Sequence, residues 1–597
     1  MSRKPLQLTA AQAAFLARLT AFATDPTTPV LAAEIRSSDL IRAYLDVVFG
    51  GGVAIALRLD TNMLPPRAGD GLRVDRPHED VIVLVPDVFP ACPPFVHVAH
   101  TRFTGTPHVL EGTRLCIYLD PSQEWHPSHT AVDFMHRLWD WLCDAVTGKF
   151  DPSTALFHPV GGVIHKTAGT PTVVARVPVP TDQAFSTMRV VARTDRRLDL
   201  RSDGEPGAEV LVMSVAGPMF RGAGRTLRGL CRGLAGIGRP DPTGFGRLCK
   251  PSARIVSPHP DALLIRLGAV AGRTPAGDPI WFVLAVPSGP GVGAKRHLIC
   301  GRLPGDAADR LRALVKGLGA LAVPLCDVIA GLPVEWCHVS EERPEMTTRR
   351  DRKTPVQSLL GAHVVVLGCG GLGSWIAEFV VRAGARRVDV CDRSEVTGGL
   401  LVRQDYTELD IGEEKAAALA RRLDSLRDDL EVHVLPGNFT LGMPIPQCDL
   451  LIDATVDQTA AAALASAWPA AKHAPLVASV ATDRATATLG LLTLTRPGSG
   501  PDPETAYALA GKTVQDRGDL EPFGSFWRPP EKDEELNPAP GCSVPTFHGS
   551  AADLAVVAGA LTRLIAGHLP APDVAGTHLV AMPHAGHTAG HVWLGLQ

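Results

Sequence analysis

The chain has 597 residues, of which 45% are hydrophobic and 20% charged, and its formal net charge is −4. This composition is typical of a globular protein rather than a disordered one, and the length predicts roughly three or four domains. The near-neutral charge gives no general attraction to nucleic acid or to an anionic membrane, so we expect neither as a partner. No apolar run approaches the roughly 20 residues that cross a bilayer, and the polar start is unlike a signal peptide, so we expect a cytoplasmic protein.

The 12 cysteines are scattered along the chain, and no two of them form a Cys-x-x-Cys pair. A zinc ribbon is therefore not expected, and disulfides are not expected in a reducing compartment. The useful question is which cysteine lies where a nucleophile would be needed.

Residues 1–160 are predicted to form a first domain, in which helical and strand-like apolar patterns follow one another. A stiff proline corner, residues 89–94, precedes the last of the strands. The predicted elements are the helices Thr9–Phe22, Leu40–Val48 and Thr130–Val146 and the strands Val53–Leu59, Val81–Val85 and Phe95–Ala99.

Three short motifs follow the proline corner in order: Pro107-His108, then Cys116 eight residues after His108, then Trp125-x-Pro127. This order resembles the ubiquitin-conjugating enzyme family. The resemblance implies an α+β fold in which Cys116 is the nucleophile that carries a thioester. The family has Asn where this chain has His108. The imidazole N–H could donate to a developing oxyanion, or the ring could help to deprotonate an attacking lysine, and the spacing does not decide between these roles.

The alternative for Cys116 is a buried core thiol, since most free cysteines are of that kind. The flanking motifs favour the nucleophile here. Cys92 and Cys143 lack such motifs and have only the core interpretation.

Residues 161–345 are predicted to form a separate α/β domain without a catalytic constellation. His259 is interpreted as a turn residue, because no partner lies at metal-ligand spacing. The basic stretch 220–254 is interpreted as a solvated surface or, alternatively, as a docking surface for an acidic partner or nucleic acid. The predicted elements are the strands Val173–Val177, Met188–Ala192, Glu209–Val215, Ala262–Leu267 and Trp281–Val286 and the helix Asp306–Leu318.

A strand, glycine turn and helix dominate the C-terminal region. The apolar run that begins at Val364 ends in Gly368-x-Gly370-Gly371-x-Gly373, and a helical pattern follows. This arrangement predicts a nucleotide whose phosphates lie on free backbone N–H groups. A second strand, Arg387–Asp392, delivers an acid placed to hold a ribose hydroxyl. The motif alone allows either hydride transfer or adenylation.

A basic pair and a late acid cluster favour adenylation, which needs cations for the triphosphate of ATP and carboxylates for Mg²⁺. These residues resemble the ThiF/MoeB/ubiquitin-activating superfamily, with Leu400 and Val456 as departures from its motifs. The resemblance implies a homodimer through the adenylation domain and assigns the following roles. Asp392 would bind the ribose, Arg403 and Lys415 would bind the phosphates, and Gln404 would help to shape the pocket. Arg349 or Arg350 would be the arginine that comes from the other subunit. Asp453 would bind Mg²⁺, with Asp457 as the second candidate.

Residues 496–540 are rich in Pro, Gly and charge, which predicts a mobile crossover loop that extends to about residue 548. Cys542 lies near its end, and the resemblance implies that Cys542 attacks the acyl-adenylate to form a thioester; the alternative is a surface thiol without a role. Ser550 and Asp553 predict a capping box for the apolar helix Leu554–Ile565. The histidines His584, His587 and His591 are interpreted as tail residues.

The whole chain is thus predicted to be a multidomain α/β protein, with an α+β ubiquitin-conjugating-like fold over 1–160, an α/β linker domain over 161–345 and a Rossmann-like ThiF adenylation domain over 346–597. It resembles the activating–conjugating fusions of bacterial antiphage CBASS operons. This implies that the C-terminal carboxylate of a partner, a cGAS-like nucleotidyltransferase, is adenylated with ATP, carried on Cys542 and then Cys116, and joined to lysines of target proteins. The alternatives are the same relay on a ubiquitin-like modifier, a ThiF-type sulfur-carrier adenylase, and a non-catalytic scaffold.

Overall fold

A computed structural model describes residues 7–36, 52–98, 100, 102–103, 106–110, 114–151, 154, 166–215, 224–235, 260–287, 295–318, 331–347, 349–529, 536–539, 542–545, 548–583 and 589–596. The chain divides into two compact units, Met1–Thr348 and Arg349–Gln597. The predicted helix Leu40–Val48, His259, most of the basic stretch 220–254, His584 and His587 lie outside the described residues.

The N-terminal part of the first unit is an antiparallel sheet with two long helices. The elements are α1 (Ala10–Ala23), β1 (Val30–Arg36), β2 (Gly52–Asp60), β3 (His78–Pro86), β4 (Phe95–Val98), β5 (Val109–Leu110), β6 (Arg114–Leu115), α2 (Pro121–Glu124) and α3 (Ala131–Val146), with strand order β1-β2-β3-β4-β6-β5. Capping boxes begin α1 at Thr9 and α3 at Thr130. The three predicted strands and the two predicted helices that lie within the described residues are confirmed.

The second part of this unit is an eight-stranded sheet with three helices. The elements are β7 (Thr172–Ala175), β8 (Phe185–Thr194), β9 (Arg197–Arg201), β10 (Ala208–Ser214), α4 (Leu227–Ala235), α5 (Pro260–Arg273), β11 (Ile280–Pro287), β12 (Arg296–Leu303), α6 (Gly305–Leu318), β13 (Glu335–Cys337) and β14 (Val339–Glu341). The strand order is β13-β12-β11-β10-β8-β9-β7-β14. Because β13 and β14 end this order yet are joined by His338 alone, the sheet curls round upon itself. One apolar core lies under the helices and another lies within the curl.

The predicted strand Ala262–Leu267 is wrong, because these residues lie in helix α5. The buried residues Leu263, Leu264, Leu267, Val270 and Ala271 recur at three- and four-residue intervals, which is the helical period. A window of six residues is too short to show that period.

The second unit is a doubly wound sheet. The elements are β15 (His363–Leu367), α7 (Gly371–Ala383), β16 (Arg387–Cys391), α8 (Lys415–Asp424), β17 (Glu431–Val434), β18 (Leu450–Asp453), α9 (Gln458–Ala467), β19 (Leu476–Thr482), β20 (Leu489–Thr495), α10 (Pro503–Asp516), β21 (Leu536–Ala539), β22 (Cys542–Pro545), α11 (Ala551–His568), β23 (Gly576–Ala581) and β24 (Gly590–Gly595). The main sheet has the order β17-β16-β15-β18-β19-β20-β23-β24. Its strands are parallel from β17 to β19 and antiparallel beyond.

The central strands position the nucleotide turn. In β15, β16 and β18 the residues Leu367, Cys391 and Asp453 lie in register, so the segments that follow them leave the sheet at one edge. In doubly wound sheets ligands bind in the crevice outside these carboxyl ends. Helices α7, α8 and α11 cover one face of the sheet, while α9 and α10 cover the other.

The predicted mobile loop over 496–540 is wrong for most of its length. Asp502 caps helix α10, and a 3₁₀ helix, Gly518–Phe526, follows it. Ala506, Ala510 and Val514 are buried at four-residue intervals, and this apolar face packs on the sheet. Pro503 lies in the first turn of α10, and Gly511 and Gly524 are buried within these helices, so proline and glycine do not mark a loop here.

Two features near the C-terminus complete the unit. Among the described residues one helix, α11, is long and apolar enough to cross a membrane by length and composition. Its Leu554, Val557 and Leu561 are buried in the protein core, which accounts for its apolar character. Ser550 caps α11 in the predicted capping box with Asp553. His591 lies in strand β24 rather than in a tail, with Nε2 at 2.7 Å from Nδ1 of His578.

Candidate active sites

The glycine turn between β15 and α7 requires glycine at two positions for packing. Gly368 has a φ of 85°, and a Cβ there would lie 2.9 Å from backbone atoms of Ala454 and Thr455. A Cβ on Gly373 would lie 1.9 Å from the carbonyl oxygen of Gly368. At Gly370, by contrast, a Cβ would meet no atom within 4 Å. The turn is therefore closely packed on its protein side and open above Gly370.

The open side of the turn lies at the N-terminus of α7, because the helix begins directly after Gly370. The first N–H groups of a helix have no carbonyl within it to bond, and the helix dipole favours negative charge there. Asp392 supports the turn, because its Oδ2 accepts the Cys369 N–H at 2.8 Å and its Oδ1 accepts the Ser394 N–H at 2.7 Å. Each carboxylate oxygen has a further lone pair, so a ribose hydroxyl could still donate to Asp392.

Lys415 begins helix α8 and is 9% exposed. Its N–H donates to the Ser394 carbonyl at 2.8 Å, which ties α8 to the segment after Asp392. The Tyr406 hydroxyl donates to the Cys369 carbonyl at 2.7 Å and so ties the same region to the glycine turn. Within the part of the chain that the structure describes, the Lys415 ammonium has no carboxylate within ion-pair distance. A buried, unneutralised cation favours an anionic ligand.

Arg403 and Gln404 lie on the segment between β16 and α8. The Trp375 indole N–H donates to the Arg403 carbonyl at 3.2 Å, which attaches this segment to α7. Gln404 is 9% exposed, and its Oε1 has no hydrogen-bond partner among the described residues. Leaving a buried acceptor unsatisfied is costly, so this oxygen favours a ligand that carries a donor.

The acid cluster at the end of β18 contains two carboxylates, and both already accept hydrogen bonds. Burial raises the pKa of Asp453, whose Oδ1 accepts from the Thr455 hydroxyl at 2.7 Å and the Thr455 N–H at 3.1 Å. Asp457 caps α9 by accepting the Thr459 N–H at 2.8 Å. Val456 between them is 79% exposed and has a φ of 52°, a left-handed conformation that a β-branched residue rarely adopts.

These residues fit a nucleoside triphosphate. The open side of the turn supplies N–H donors, and the Lys415 ammonium supplies positive charge. The Gln404 Oε1 supplies an acceptor for an amino or hydroxyl group. For Mg²⁺, Asp453 and Asp457 both remain candidates, because each carboxylate keeps lone pairs that these hydrogen bonds do not use. No group of three or more possible ligands is assembled within the described residues, so a metal here would need oxygens of the triphosphate as well.

Of the two arginine candidates, Arg349 is engaged elsewhere. It pairs with Asp351 and donates from Nη2 to the Ala383 carbonyl at 2.9 Å. Ala383 is the last residue of α7, roughly 20 Å along a 13-residue helix from the glycine turn. Arg350 is exposed and remains the predicted residue from a second subunit.

Cys116 directly follows strand β6 and is half-buried. Its N–H donates to the His108 carbonyl at 2.8 Å, and its thiol donates to the Tyr118 carbonyl at 3.2 Å. Burial raises the pKa of the Cys116 thiol; Arg114 and Arg137 oppose this shift, and Glu124 adds to it. The thiol is therefore protonated at neutral pH.

His108 has a φ of 62° and its side chain is buried, with 4% exposure. Its Nε2 lies 3.0 Å from the Thr154 hydroxyl, and its ring packs edge-on against Phe150. Burial lowers the pKa of His108, so its ring is neutral near pH 7. Both proposed catalytic roles of His108 stay predictions, and the contact that links it to Cys116 is its backbone carbonyl.

Trp125 connects the motifs on this side of the molecule. Its indole N–H donates to the Pro90 carbonyl at 2.8 Å, and its ring packs against Phe89 and Tyr118. The proline corner, the segment just after Cys116 and Trp125 are thereby held in one cluster.

Cys542 lies in strand β22, which pairs with β21 in a two-stranded hairpin that places Ala539 opposite Cys542. The predicted loop is therefore a hairpin at this point. The side chain of Cys542 lies outside the described residues. Cys542 and Cys116 belong to different units of the chain.

A cluster that the sequence did not predict lies beside the phosphate-binding segment. Glu378 on α7, Asp405 after Gln404 and Arg422 on α8 are in mutual contact, and Ser374 joins Asp405 to the glycine turn. Ser374 and Glu378 lie four residues apart on α7, but every other pair in the cluster is separated by 17 residues or more along the chain. No spacing rule relates such distant residues.

Comparisons with known proteins find similarity to two families, one in each unit of the chain. Residues 34–165 match the model of Prokaryotic E2 family A, and residues 346–516 match the ThiF family. The sulfur carrier protein ThiS adenylyltransferase of Bacillus subtilis is 44% identical over 79 residues, which are 13% of this chain and 24% of that protein. The ATP-dependent ubiquitin transferase-like protein Cap2 of Enterobacter hormaechei is 27% identical over 144 residues, 22% of this chain and 23% of its own length.

The matched stretches thus span about a quarter of these two relatives. Among solved structures, E. coli MccB with ATP aligns with 15% identity and a TM-score of 0.28, covering 41% of this chain and 66% of that one.

Proposed function

Because the chain joins a prokaryotic E2 domain to a ThiF adenylation domain and is distantly homologous to Cap2 proteins, we propose that it activates the C-terminal carboxylate of a partner protein with ATP and conjugates it to amines. The observation that supports this most is the presence of both domains in one chain. The unneutralised Lys415 beside the glycine turn adds to it, since it provides a charge for a triphosphate.

In the proposed first step the partner's carboxylate attacks the α-phosphorus of ATP, so that an acyl-adenylate forms and pyrophosphate leaves. The N–H groups at the start of α7, Lys415 and Arg403 would neutralise the phosphates. Asp392 would orient the ribose, Gln404 would bond the nucleotide, and Asp453 would hold Mg²⁺, which would supply further positive charge. Arg350 would reach the site from a second copy of the chain.

In the second step the acyl group moves from AMP to a thiol, and in the third step it moves from that thiol to another. The Cys542 sulfur attacks the acyl-adenylate and releases AMP, and the Cys116 sulfur then takes the acyl group by thioester exchange. A target lysine finally attacks this thioester to form an amide and release the Cys116 thiol. Each transfer before amide formation replaces one good leaving group by another, which divides a difficult amide synthesis into easier stages.

We further propose that the partner is a cGAS-like nucleotidyltransferase and that the reaction serves antiphage defence in the cytoplasm. A bacterial ubiquitin-like modifier could be carried by the same relay. A sulfur-carrier adenylase is the second candidate, favoured by the 44% identity to a ThiS adenylyltransferase. It would leave the E2 domain without a role, as would a non-catalytic scaffold.

The relay is tested by trapping thioesters on the full chain. With ATP and the protein product of a neighbouring nucleotidyltransferase or ubiquitin-like gene, the wild type should form two adducts that dithiothreitol removes. Cys542→Ala should abolish both, whereas Cys116→Ala should leave the Cys542 adduct intact. Loss of both adducts in Cys116→Ala would contradict the order, and absence of pyrophosphate exchange with every carboxyl-terminal partner would favour the scaffold. A thiocarboxylate product would favour the sulfur-carrier adenylase.

A further inference from the structure

The buried cluster of Glu378, Asp405 and Arg422, here called the carboxyl brace, has no part in the relay just described. Both carboxyl groups are buried. Arg422 Nε lies 2.8 Å from Glu378 Oε2 and 2.8 Å from Asp405 Oδ2, and its Nη2 lies 2.7 Å from Asp405 Oδ1. One guanidinium thus binds two carboxyl groups that also bond each other. Burying such a set is costly unless the geometry is well satisfied, so its position next to Gln404 needs a reason.

The carboxyl brace is joined to the glycine turn through Ser374. The Asp405 N–H donates to the Ser374 hydroxyl oxygen at 3.2 Å, and that hydroxyl donates to the Gly370 carbonyl at 2.8 Å. Two residues earlier, the Arg403 carbonyl accepts the Trp375 indole N–H. The segment that carries Arg403 and Gln404 is therefore attached to the first turns of α7 at both ends.

The carboxyl brace is joined to Lys415 through helix α8. Lys415 and Arg422 are seven residues apart, which is about two helical turns and places them on the same side of α8. Contact of Arg422 with Asp405 therefore sets how close this side of α8 lies to the segment that carries Arg403. A change at Arg422 would displace both cations proposed for the phosphates.

The charges around Asp405 favour a shared proton. From α7, Glu378 faces Asp405, with Arg382 beyond it at 2.7 Å from Glu378; from α8, Arg422 faces both. Tyr406, next in the chain, points its hydroxyl to Cys369. Burial and the neighbouring Glu378 raise the pKa of Asp405 to about 7. Burial opposes the charge of Glu378 as well, but hydrogen bonds from Asp405, Arg382 and Arg422 outweigh it and lower the pKa of Glu378 to about 2.

We infer that Glu378, Asp405 and Arg422 are positioning residues for the nucleotide, which hold Arg403 and Lys415 at the glycine turn while the two carboxyl groups share one proton. Loss of that proton leaves two adjacent carboxylates with one guanidinium between them. It also adds a negative charge near the phosphates. Nucleotide affinity should therefore fall as the proton is lost. This inference rests on the proposed function, because it assumes that the site binds ATP.

The test measures the dissociation constant of α,β-methylene ATP, which cannot be cleaved at that bond, for the full chain by calorimetry between about pH 6 and about pH 8.5. Asp405→Asn replaces the shared proton by a permanent amide donor. Relative to this variant, the wild type should lose about fivefold in affinity over the range. The ratio of the two dissociation constants, wild type to Asp405→Asn, is taken at each pH. This ratio removes the effect of the nucleotide's own titration, which is the same for both proteins.

Asp405→Ala should weaken binding about tenfold throughout the range, because it releases α8 from the segment. Asp424→Ala, an exposed change on the same helix, should bind as the wild type does. Parallel pH profiles for wild type and Asp405→Asn would overturn the inference alone, as would unaltered binding by Asp405→Ala. If the wild type binds no analogue at any pH, the proposed function fails with it. Should Asp405→Ala fail to fold, the Asp405→Asn comparison decides.

Discussion

The two candidate sites differ in how far they are prepared for reaction. At the glycine turn a buried ammonium and a buried amide oxygen have no partner within the described residues, and helix N–H groups face open space. At Cys116 the thiol is hydrogen-bonded and protonated, and the nearest imidazole is neutral and packed against Phe150. Within the described residues, the first site presents groups that a nucleotide could bind, whereas the Cys116 thiol bonds the Tyr118 carbonyl rather than a basic side chain.

This difference has a chemical reason. Adenylation develops charge on phosphates, and preorganised cations lower its barrier directly. In the proposed relay, Cys116 exchanges one thioester for another, a step that changes little in energy and requires no charged phosphate site. A protonated thiol is also less susceptible to alkylation and oxidation before it receives an acyl group in the proposed relay. The two sites therefore suit successive steps of different difficulty.

Among the variants that test the contrast between the two sites, the largest effect is expected at Lys415. Lys415→Gln should weaken binding of α,β-methylene ATP by about 100-fold, because it removes a buried charge that faces the phosphates. Lys472→Gln, an exposed change in the same unit, is the matched control and should have no effect. Calorimetry on the full chain measures both. Wild-type affinity in Lys415→Gln would mean that the Lys415 ammonium does not contact the phosphates at the glycine turn.

A second pair of variants separates packing from binding within the turn. Gly373→Ala should destabilise the second unit by about 3 kcal/mol, because the new Cβ would overlap the Gly368 carbonyl. Gly370→Ala should leave stability nearly unchanged and weaken nucleotide binding, since its Cβ would enter the open space above the turn. Urea unfolding and calorimetry distinguish the two outcomes. Equal loss of stability in both variants would show that the turn is closed on both sides.

The smallest effect is expected at Cys116. Its alkylation by iodoacetamide, followed by mass spectrometry of the Cys116 peptide, should quicken about tenfold per pH unit until the raised pKa is reached. Arg137→Gln should slow alkylation and Glu124→Gln should quicken it, each by about threefold, because these charges act on the thiol in opposite directions.

Cys143 in the same protein serves as the internal control for that measurement, since neither Arg137 nor Glu124 contributes to the shift of its pKa. If both substitutions changed the Cys116 rate in the same direction, a general loosening of the fold would be the cause.

Sequence patterns predicted most where a function depends on residues close together in the chain. The strand, glycine turn and helix from Val364 onward are such a case, and so is the spacing of His108 and Cys116, whose backbone atoms bond each other. Patterns failed where tertiary contacts decide. Helix α10 was taken for a loop because the stretch is rich in Pro, Gly and charge, and packing of its apolar face on the sheet decides otherwise. Thr154, which lies 3.0 Å from the His108 ring, is 46 residues away along the chain. The carboxyl brace joins three separate segments and has no local signature.

Val456 has a consequence for how this site can change over generations. Its left-handed backbone suits aspartate better than valine, because a short polar side chain can bond its own turn. Some valine codons become aspartate codons by a single base change. Where Val456 has such a codon, a single base change would place a carboxylate near Asp453, and it would relieve the backbone rather than strain it. Under the proposed function, such a change would alter the affinity of this site for Mg²⁺ without altering the scaffold that carries it.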